Sequence, residues 1–557
     1  MKIAFIFTPF IVPSYIPLGI AQLKSYIRKK VPSAKVYNLD LNIDCFNNLA
    51  SSNYLQMFKN LCAICPQKCK GFKTKMSNLA EDGMAFQIGI RGLKLKRDGM
   101  FYDIAKYNYF SQIIRRFFNN RGDCIDVFAK ELIKKGISVP ADFENLFDDD
   151  VRKIAEIDPD FVGFSIFCKT QLSYSLILAG IIKRKLGLPV IFGGAFMNHL
   201  NIKEFLDCFS FVDFVISKEG ERGIVGFIKH FPKKEFSKVP GLYYRQAKNV
   251  VHNEEKYIEH LDDLPSPDFS DFKFSQYLLP APVLPIIFSR GCYWNKCTFC
   301  TYYKNHPAPY KTKSIKKLIA EIKYYRSNGI NHFFIDDDVI SASDLKKISV
   351  ALKRNKIRIF FGAIVRPETG FTYNVLKTIY SGGGRVLIWG VESSCQRILD
   401  LMNKGTRTEP IKSILKCSKE AGFHNHLFMI QGFPTETERE ICGDYKFLIK
   451  NRDVIDSFFL HTFSLERGSY IFRNPGKFKI GRIEPIPMYT SIPNKAILHS
   501  DIFAFKRDVK LNWVKVKGMK RKIFKLPQGE HAKKFRAVEH SQILLHASLS
   551  LDQPRGV

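Results

Sequence analysis

The stretch Ser289-Arg290-Gly291-Cys292-Tyr293-Trp294-Asn295-Lys296-Cys297-Thr298-Phe299-Cys300 decides how this chain is read. It follows directly on the apolar run VLPIIF of residues 283–288, which has the composition of a buried strand. Three cysteines therefore share one loop at a strand's carboxyl end. Thiolates this close can hold three irons of a [4Fe–4S] cube and leave the fourth iron without a protein ligand. A zinc site usually takes four ligands, and no fourth follows in the next few residues. Three cysteines that merely pack on one loop are the remaining alternative.

Strand and helix patterns alternate on both sides of this loop. Downstream, strands are expected at 284–288, 331–335, 358–364, 385–390, 426–431 and 456–463. Helices are expected at 314–326, 343–354, 372–380, 394–401, 408–420 and 436–450. Six such units imply a partial (β/α)6 barrel over 281–475, with its site at the carboxyl ends of the strands. Upstream, strands at 2–8, 35–39, 161–167, 189–192 and 211–216, with helices at 17–30 and 173–185, imply a doubly wound α/β domain over 1–235. Ser165, Gly193-Gly194 and Glu219-Gly220-Glu221 fall at its strand ends, where such sheets bind ligands; the glycines equally suit tight turns. A long insertion occupies about 45–150. Residues 236–280 read as a linker with a short hairpin (GLYYRQAKNVVHN), and 476–557 as a basic C-terminal extension in which the pattern fades.

The run RGCYWNKCTFC resembles the cluster loop of the radical S-adenosylmethionine superfamily, in the branch with an N-terminal cobalamin-binding-type domain. The commoner first gap holds three residues; here it holds four, Tyr293 to Lys296. The resemblance implies a [4Fe–4S] cluster on Cys292, Cys297 and Cys300. Its open iron would take the amine and carboxylate of S-adenosylmethionine. It further implies Phe299 beside the adenine, Asp337 and Asp338 of FIDDD near the methionine amine, and Arg366 near the carboxylate. Glu392 in GVES, the segment Met402-Asn403-Lys404-Gly405, and Gly432 in GFPTET also resemble branch signatures. No catalytic side chain is readable. In the N-terminal half the resemblance implies that Ser165, Gly193 and Gly194 contact a cobalamin. The usual Asp-x-His-x-x-Gly motif is missing, and the first histidine is His199. The resemblance thus leaves open whether cobalamin binds.

The function implied is reductive cleavage of S-adenosylmethionine to start radical chemistry. With cobalamin this extends to methylation of an unactivated carbon; without it, to a rearrangement or cyclisation. An RNA-modifying, methylthiotransferase-like enzyme is the alternative. It draws on a net charge of +33 over 557 residues and on nine Lys/Arg against one acid between Lys506 and Lys525. Most lysines are dispersed, and no small RNA-binding barrel is recognisable, so RNA is not favoured. The substrate would be a small molecule, a lipid-like precursor or a peptide. The reducing partner would be a flavodoxin or ferredoxin.

Cys62, Cys65 and Cys69 in the insertion are spaced to bind a second iron–sulfur cluster or a zinc, with Cys45 or Cys124 as a fourth ligand. Reduced surface thiols are the alternative. Thirteen cysteines in so long a chain are no disulfide framework. No apolar run approaches the ~20 residues of a membrane span. The N-terminus lacks the charge and the cleavage site of a signal peptide, so a cytoplasmic protein is expected.

Overall fold

The apolar runs of the N-terminal half pair side by side in the computed structural model. The structure describes residues 1–48, 125–126, 129–130, 144–279, 281–304, 306, 309–491, 496–507 and 511–524. β1 (Lys2–Phe7), β2 (Lys35–Asp40), β3 (Phe161–Ser165), β4 (Val190–Gly193) and β5 (Phe214–Ile216) are parallel. The expected hairpin, β6 (Leu242–Gln246) and β7 (Asn249–His252), extends this sheet antiparallel, giving the order β2-β1-β3-β4-β5-β6-β7. Along β1, Ile3, Phe5 and Phe7 enter one apolar cluster while Ala4 and Ile6 enter another. A strand apolar on both faces is what a sheet covered on both sides requires. The chain turns one way from β1 to β2 and the other from β3 to β5. The crevice between the carboxyl ends of β1 and β3 is therefore the switch point at which such sheets bind ligands.

The second sheet is all parallel, in the order β15-β14-β13-β12-β11-β8. Its strands are β8 (Val283–Ile286), β11 (His332–Ile335), β12 (Phe360–Val365), β13 (Gly384–Glu392), β14 (His424–Gln431) and β15 (Ser457–Thr462). Between β8 and β11, a small ribbon of β9 (Ser289–Arg290) and β10 (Lys311–Thr312) frames the cysteine loop. Side-chain caps start the intervening helices. Ser314, Ser341 and Thr372 each accept an N–H, and Thr437 forms a reciprocal capping box with Glu440. All six barrel strands and their helices lie within a few residues of the sequence expectation.

The region beyond 475 corrects the expectation that the pattern fades. β16 (Leu465–Glu466), β17 (Ile480–Ser491) and β18 (Ala496–Arg507) form an antiparallel sheet. β18 pairs with β16, which follows the last barrel strand, and it also packs on the N-terminal helix Ile202–Cys208, where Glu204 accepts the His499 N–H at 3.0 Å. The hairpin is thus a strap between the two halves. The Tyr489 hydroxyl meets the Ser173 hydroxyl at 2.5 Å. The basic helix Trp513–Phe524 rests on Glu438–Lys450, with Val516 buried beside Ile441 and Tyr445. Among the described residues, no helix is long and apolar enough to cross a membrane.

Candidate active site

The carboxyl ends of the two sheets face a common cavity of about 1050 Å³. Its barrel side includes Cys292, Cys297 and Cys300, and its N-terminal side includes Ser165, Gly193 and Gly194.

The cysteine loop is held from three directions. Asp337, at the end of β11, accepts the backbone N–H of Phe288 at 2.8 Å and of Ser289 at 2.9 Å, and the Ser289 hydroxyl at 2.7 Å. Its oxygens therefore orient the loop's first residues. Trp294, inside the four-residue gap, donates its indole N–H to Asn403 O at 2.8 Å, and the Arg366 guanidinium stacks on its ring at 4.0 Å. The ring packs against Gly405, where an added Cβ would fall 2.1 Å from it. Asn295 carries the extra residue in the left-handed region, φ 45°, a conformation asparagine tolerates. Thr298 then donates its N–H to Met402 O at 2.9 Å and its hydroxyl to Leu401 O at 2.9 Å. The Met402–Gly405 segment is thus the seat of the loop, a role its residue types did not announce.

Lys404 from that segment is buried and pairs with Glu392 at 2.8 Å. Glu392 sits at a register shift in β13 with φ 67°. Burial alone would lower the Lys404 ammonium, but the Glu392 carboxylate beside it outweighs that and holds it above its ordinary value. Burial pushes the Cys300 thiol up to about 12 and the Cys297 thiol up as well. Arg366 donates to Lys404 O at 2.8 Å and to Glu368 at 3.0 Å, while its Nε is buried without a partner among the described residues. Asp336 and Asp338 border the cavity beside the fully used Asp337. Burial, and then their mutual repulsion, lift Asp336 to about 6. Asp338 Oδ2 is buried and unpartnered among the described residues. Phe299 lines the same cavity.

Gly432 is not among the residues that line this cavity. Its N–H is taken by the Glu436 carboxylate, and its Cα faces the Trp513 ring, 2.9 Å from where a Cβ would stand. The C-terminal helix therefore covers the GFPTET turn, which sequence spacing alone could not reveal.

On the opposite wall, Gly194 has φ 97°, and a Cβ there would strike Ile166 O at 2.5 Å. This turn admits only glycine and lets the backbone border the cavity. Tyr15 and Phe167 stack at 5.0 Å beside it. None of the cavity-lining residues that the N-terminal domain contributes is a histidine. His424 and His426 share the Ser457 hydroxyl, at 2.9 and 2.8 Å. His461 opens onto the cavity beside Phe459.

His199, Glu466 and Asp501 bring ligand atoms within 4.8 Å of one another. The Lys304 ammonium already lies 2.7 Å from Asp501, so the group reads as an ion cluster that ties the strap to the loop's end. Cys62, Cys65, Cys69 and Cys124 lie outside the described residues; Cys45 is buried in the helix Leu41–Asn48.

Residues 286–448 match the model of the Radical SAM superfamily. An uncharacterised methyltransferase of Pyrococcus horikoshii is 27% identical over 315 residues, covering 55% of this chain and 67% of that protein. The radical S-adenosylmethionine methyltransferase TsrM of Kitasatospora setae, solved with tryptophan substrate and an S-adenosylmethionine analogue, superposes with a TM-score of 0.61 at 11% identity, over 97% of this chain and 91% of its own. The cobalamin-dependent radical enzyme OxsB, solved with aqua-cobalamin and S-adenosylmethionine, gives 0.54 at 16% identity, over 86% of this chain. The chain spans 56% of OxsB's length. Residues 286–448, which open on the cysteine loop and span most of the six-stranded parallel barrel, thus match the Radical SAM superfamily, and the barrel together with the doubly wound sheet ahead of it has a fold similar to those of TsrM and OxsB.

Proposed function

We propose that the chain is a cobalamin-dependent radical S-adenosylmethionine methyltransferase acting on an unactivated carbon. The observation that carries this reading is the single cavity with three cysteines on one wall and the Gly193-Gly194 edge on the other. The donor set fits an iron–sulfur cluster. Desolvation raises the Cys297 and Cys300 thiols, so these two stay protonated on their own, whereas metal coordination deprotonates a thiol outright. The opposite wall fits a large flat ligand. Its glycine backbone borders the cavity, and stacked Tyr15 and Phe167 provide an apolar face. Among the described residues, the N-terminal domain brings no histidine to the cavity.

With these groups bound, the site supplies reductive cleavage of a carbon–sulfur bond and transfer of a methyl group to carbon. The chain's own part is positional. Asp337 and the Met402–Gly405 seat fix the cysteine loop. Asp336 and Asp338 offer carboxylates to an ammonium, and Arg366 Nε offers a donor to a carboxylate. Phe299 packs beside an adenine. His426, Phe428, Phe459 and His461 form a wall for a substrate with an apolar face, consistent with a small molecule, a lipid-like precursor or a peptide. A low-potential one-electron carrier such as a flavodoxin or ferredoxin would supply the reducing equivalent.

The test is to incubate the reconstituted chain with S-adenosylmethionine and dithionite. Formation of 5′-deoxyadenosine together with S-adenosylhomocysteine is expected. 5′-Deoxyadenosine alone would leave a radical enzyme that does not transfer methyl groups. Neither product would refute the reading.

A further inference from the structure

The most buried ion cluster at the domain boundary lies two residues before the first cysteine. Arg290 is 5% exposed. Its Nη1 is 3.2 Å from Glu219, and its Nη2 pairs with Glu221. Both acids sit at the start of the helix Gly220–His230, directly behind β5 of the N-terminal sheet, where a helix dipole favours negative charge. Glu219 also meets Lys311 at 3.3 Å and His306 at 3.4 Å, and accepts the Ile258 N–H at 3.2 Å. Lys311 is in turn the ladder partner of Arg290 across β9 and β10. One planar fork therefore grips both sides of the cavity. Its backbone leads into Cys292, and its charge fixes the Glu219-Gly220-Glu221 turn on the opposite wall.

A cluster of this kind contributes little net stability, because desolvation offsets most of its Coulombic gain. What it does supply is geometry. The guanidinium bonds Glu221 through Nη2 and lies within ion-pair distance of Glu219 through Nη1, while Nη1 and Nε make no hydrogen bond among the described residues, so moving the turn against the loop would break a buried pair. We infer that Arg290 is a positioning residue that couples the N-terminal wall of the cavity to the cysteine loop, so that a change at Glu219 or Glu221 is felt at the iron–sulfur cluster. The inference rests on the proposed cluster on Cys292, Cys297 and Cys300.

The test uses the full chain, reconstituted anaerobically with iron and sulfide, in the variants Glu221→Gln and Glu219→Gln. Glu204→Gln is the control, since it weakens another contact between the strap and the N-terminal domain, Glu204 with His499 at 3.2 Å. The readouts are iron per chain, the electron paramagnetic resonance spectrum of the reduced cluster with and without S-adenosylmethionine, and the affinity for S-adenosylmethionine. Both Gln variants are expected to keep wild-type iron, to show an altered cluster signal, and to bind S-adenosylmethionine about tenfold more weakly, a change of about 1.4 kcal/mol. Glu204→Gln is expected to change none of these. Arg290→Lys, which keeps the charge but not the fork, should restore part of what Arg290→Met loses. If a Gln variant does not fold, Glu221→Asp supplies the same readout. A wild-type signal and affinity in the folded Glu219 and Glu221 variants would overturn the coupling, as would an equal change in the control. Iron absent from the wild-type chain would instead overturn the functional reading beneath it.

Discussion

Asp337 spends its carboxylate on the backbone of Ser289. It accepts that N–H at 2.9 Å, and the neighbouring Phe288 N–H and Ser289 hydroxyl besides. An acid at the end of one barrel strand thus sets where the cysteine loop begins. Replacing Asp337 by Ala strands two N–H groups and a hydroxyl in a buried place. At about 1–3 kcal/mol each, the loss is on the order of 3–9 kcal/mol. Thermal unfolding should show it, and iron retention should fall with it. Asp337→Asn, which keeps one acceptor oxygen, should lose less of both.

The seat of the loop predicts a second effect. Gly405 has φ 68°, and a Cβ there would meet the Trp294 ring at 2.1 Å. Gly405→Ala should therefore cost more than the about 1–3 kcal/mol of backbone strain alone, because the indole must move. Iron per chain should fall well below the wild-type value. Wild-type iron in Gly405→Ala would show that Trp294 is not needed to place the cysteines.

The two walls of the cavity should be separable. Gly194→Ala introduces strain at φ 97° and a contact of 2.5 Å with Ile166 O, far from the cysteines in sequence. The expected outcome is loss of cobalt retained after desalting, with iron unchanged. Loss of both together would mean that the substitution disturbs the whole fold.

The pH dependence of stability follows from the N-terminal core. Burial lifts Asp40 from 3.8 to about 7 and does the same to Asp150. Between the unfolded and folded values the native state binds more protons. The stability these groups contribute is thus fully present below about pH 4 and is lost as pH rises through about 7. Asp40→Asn should flatten that slope in denaturant unfolding measured from pH 5 to 8. An unchanged slope would show that Asp40 ionises normally.

Much of this was legible in the sequence. The six barrel strands announce themselves as apolar runs bounded by capped helices, and the Cys292-x4-Cys297-x2-Cys300 loop stands out as the candidate cluster site by its spacing and its resemblance to the family loop. What Asp337 does was not legible, because an acid at a strand end looks the same whether it faces a ligand or a backbone N–H. The contact of Gly432 with Trp513 was not legible, because the two are about 80 residues apart in sequence. The strap from Ile480 to Arg507 was missed because Pro485 and Pro487 and three register shifts break the alternation that marks a strand. Arg290 could have been found. A charged residue between an apolar strand and a metal loop needs a partner, and Glu219-Gly220-Glu221 was already marked at a strand end.

The most direct test of the central claim is to count metals. The full chain is reconstituted without oxygen, loaded with hydroxocobalamin, desalted, and assayed for iron and cobalt. About four irons and one cobalt per chain are predicted for the described site, with the iron lost when Cys292, Cys297 and Cys300 are replaced by Ala. Iron that survives those replacements, or no iron in the wild-type chain, would contradict the account.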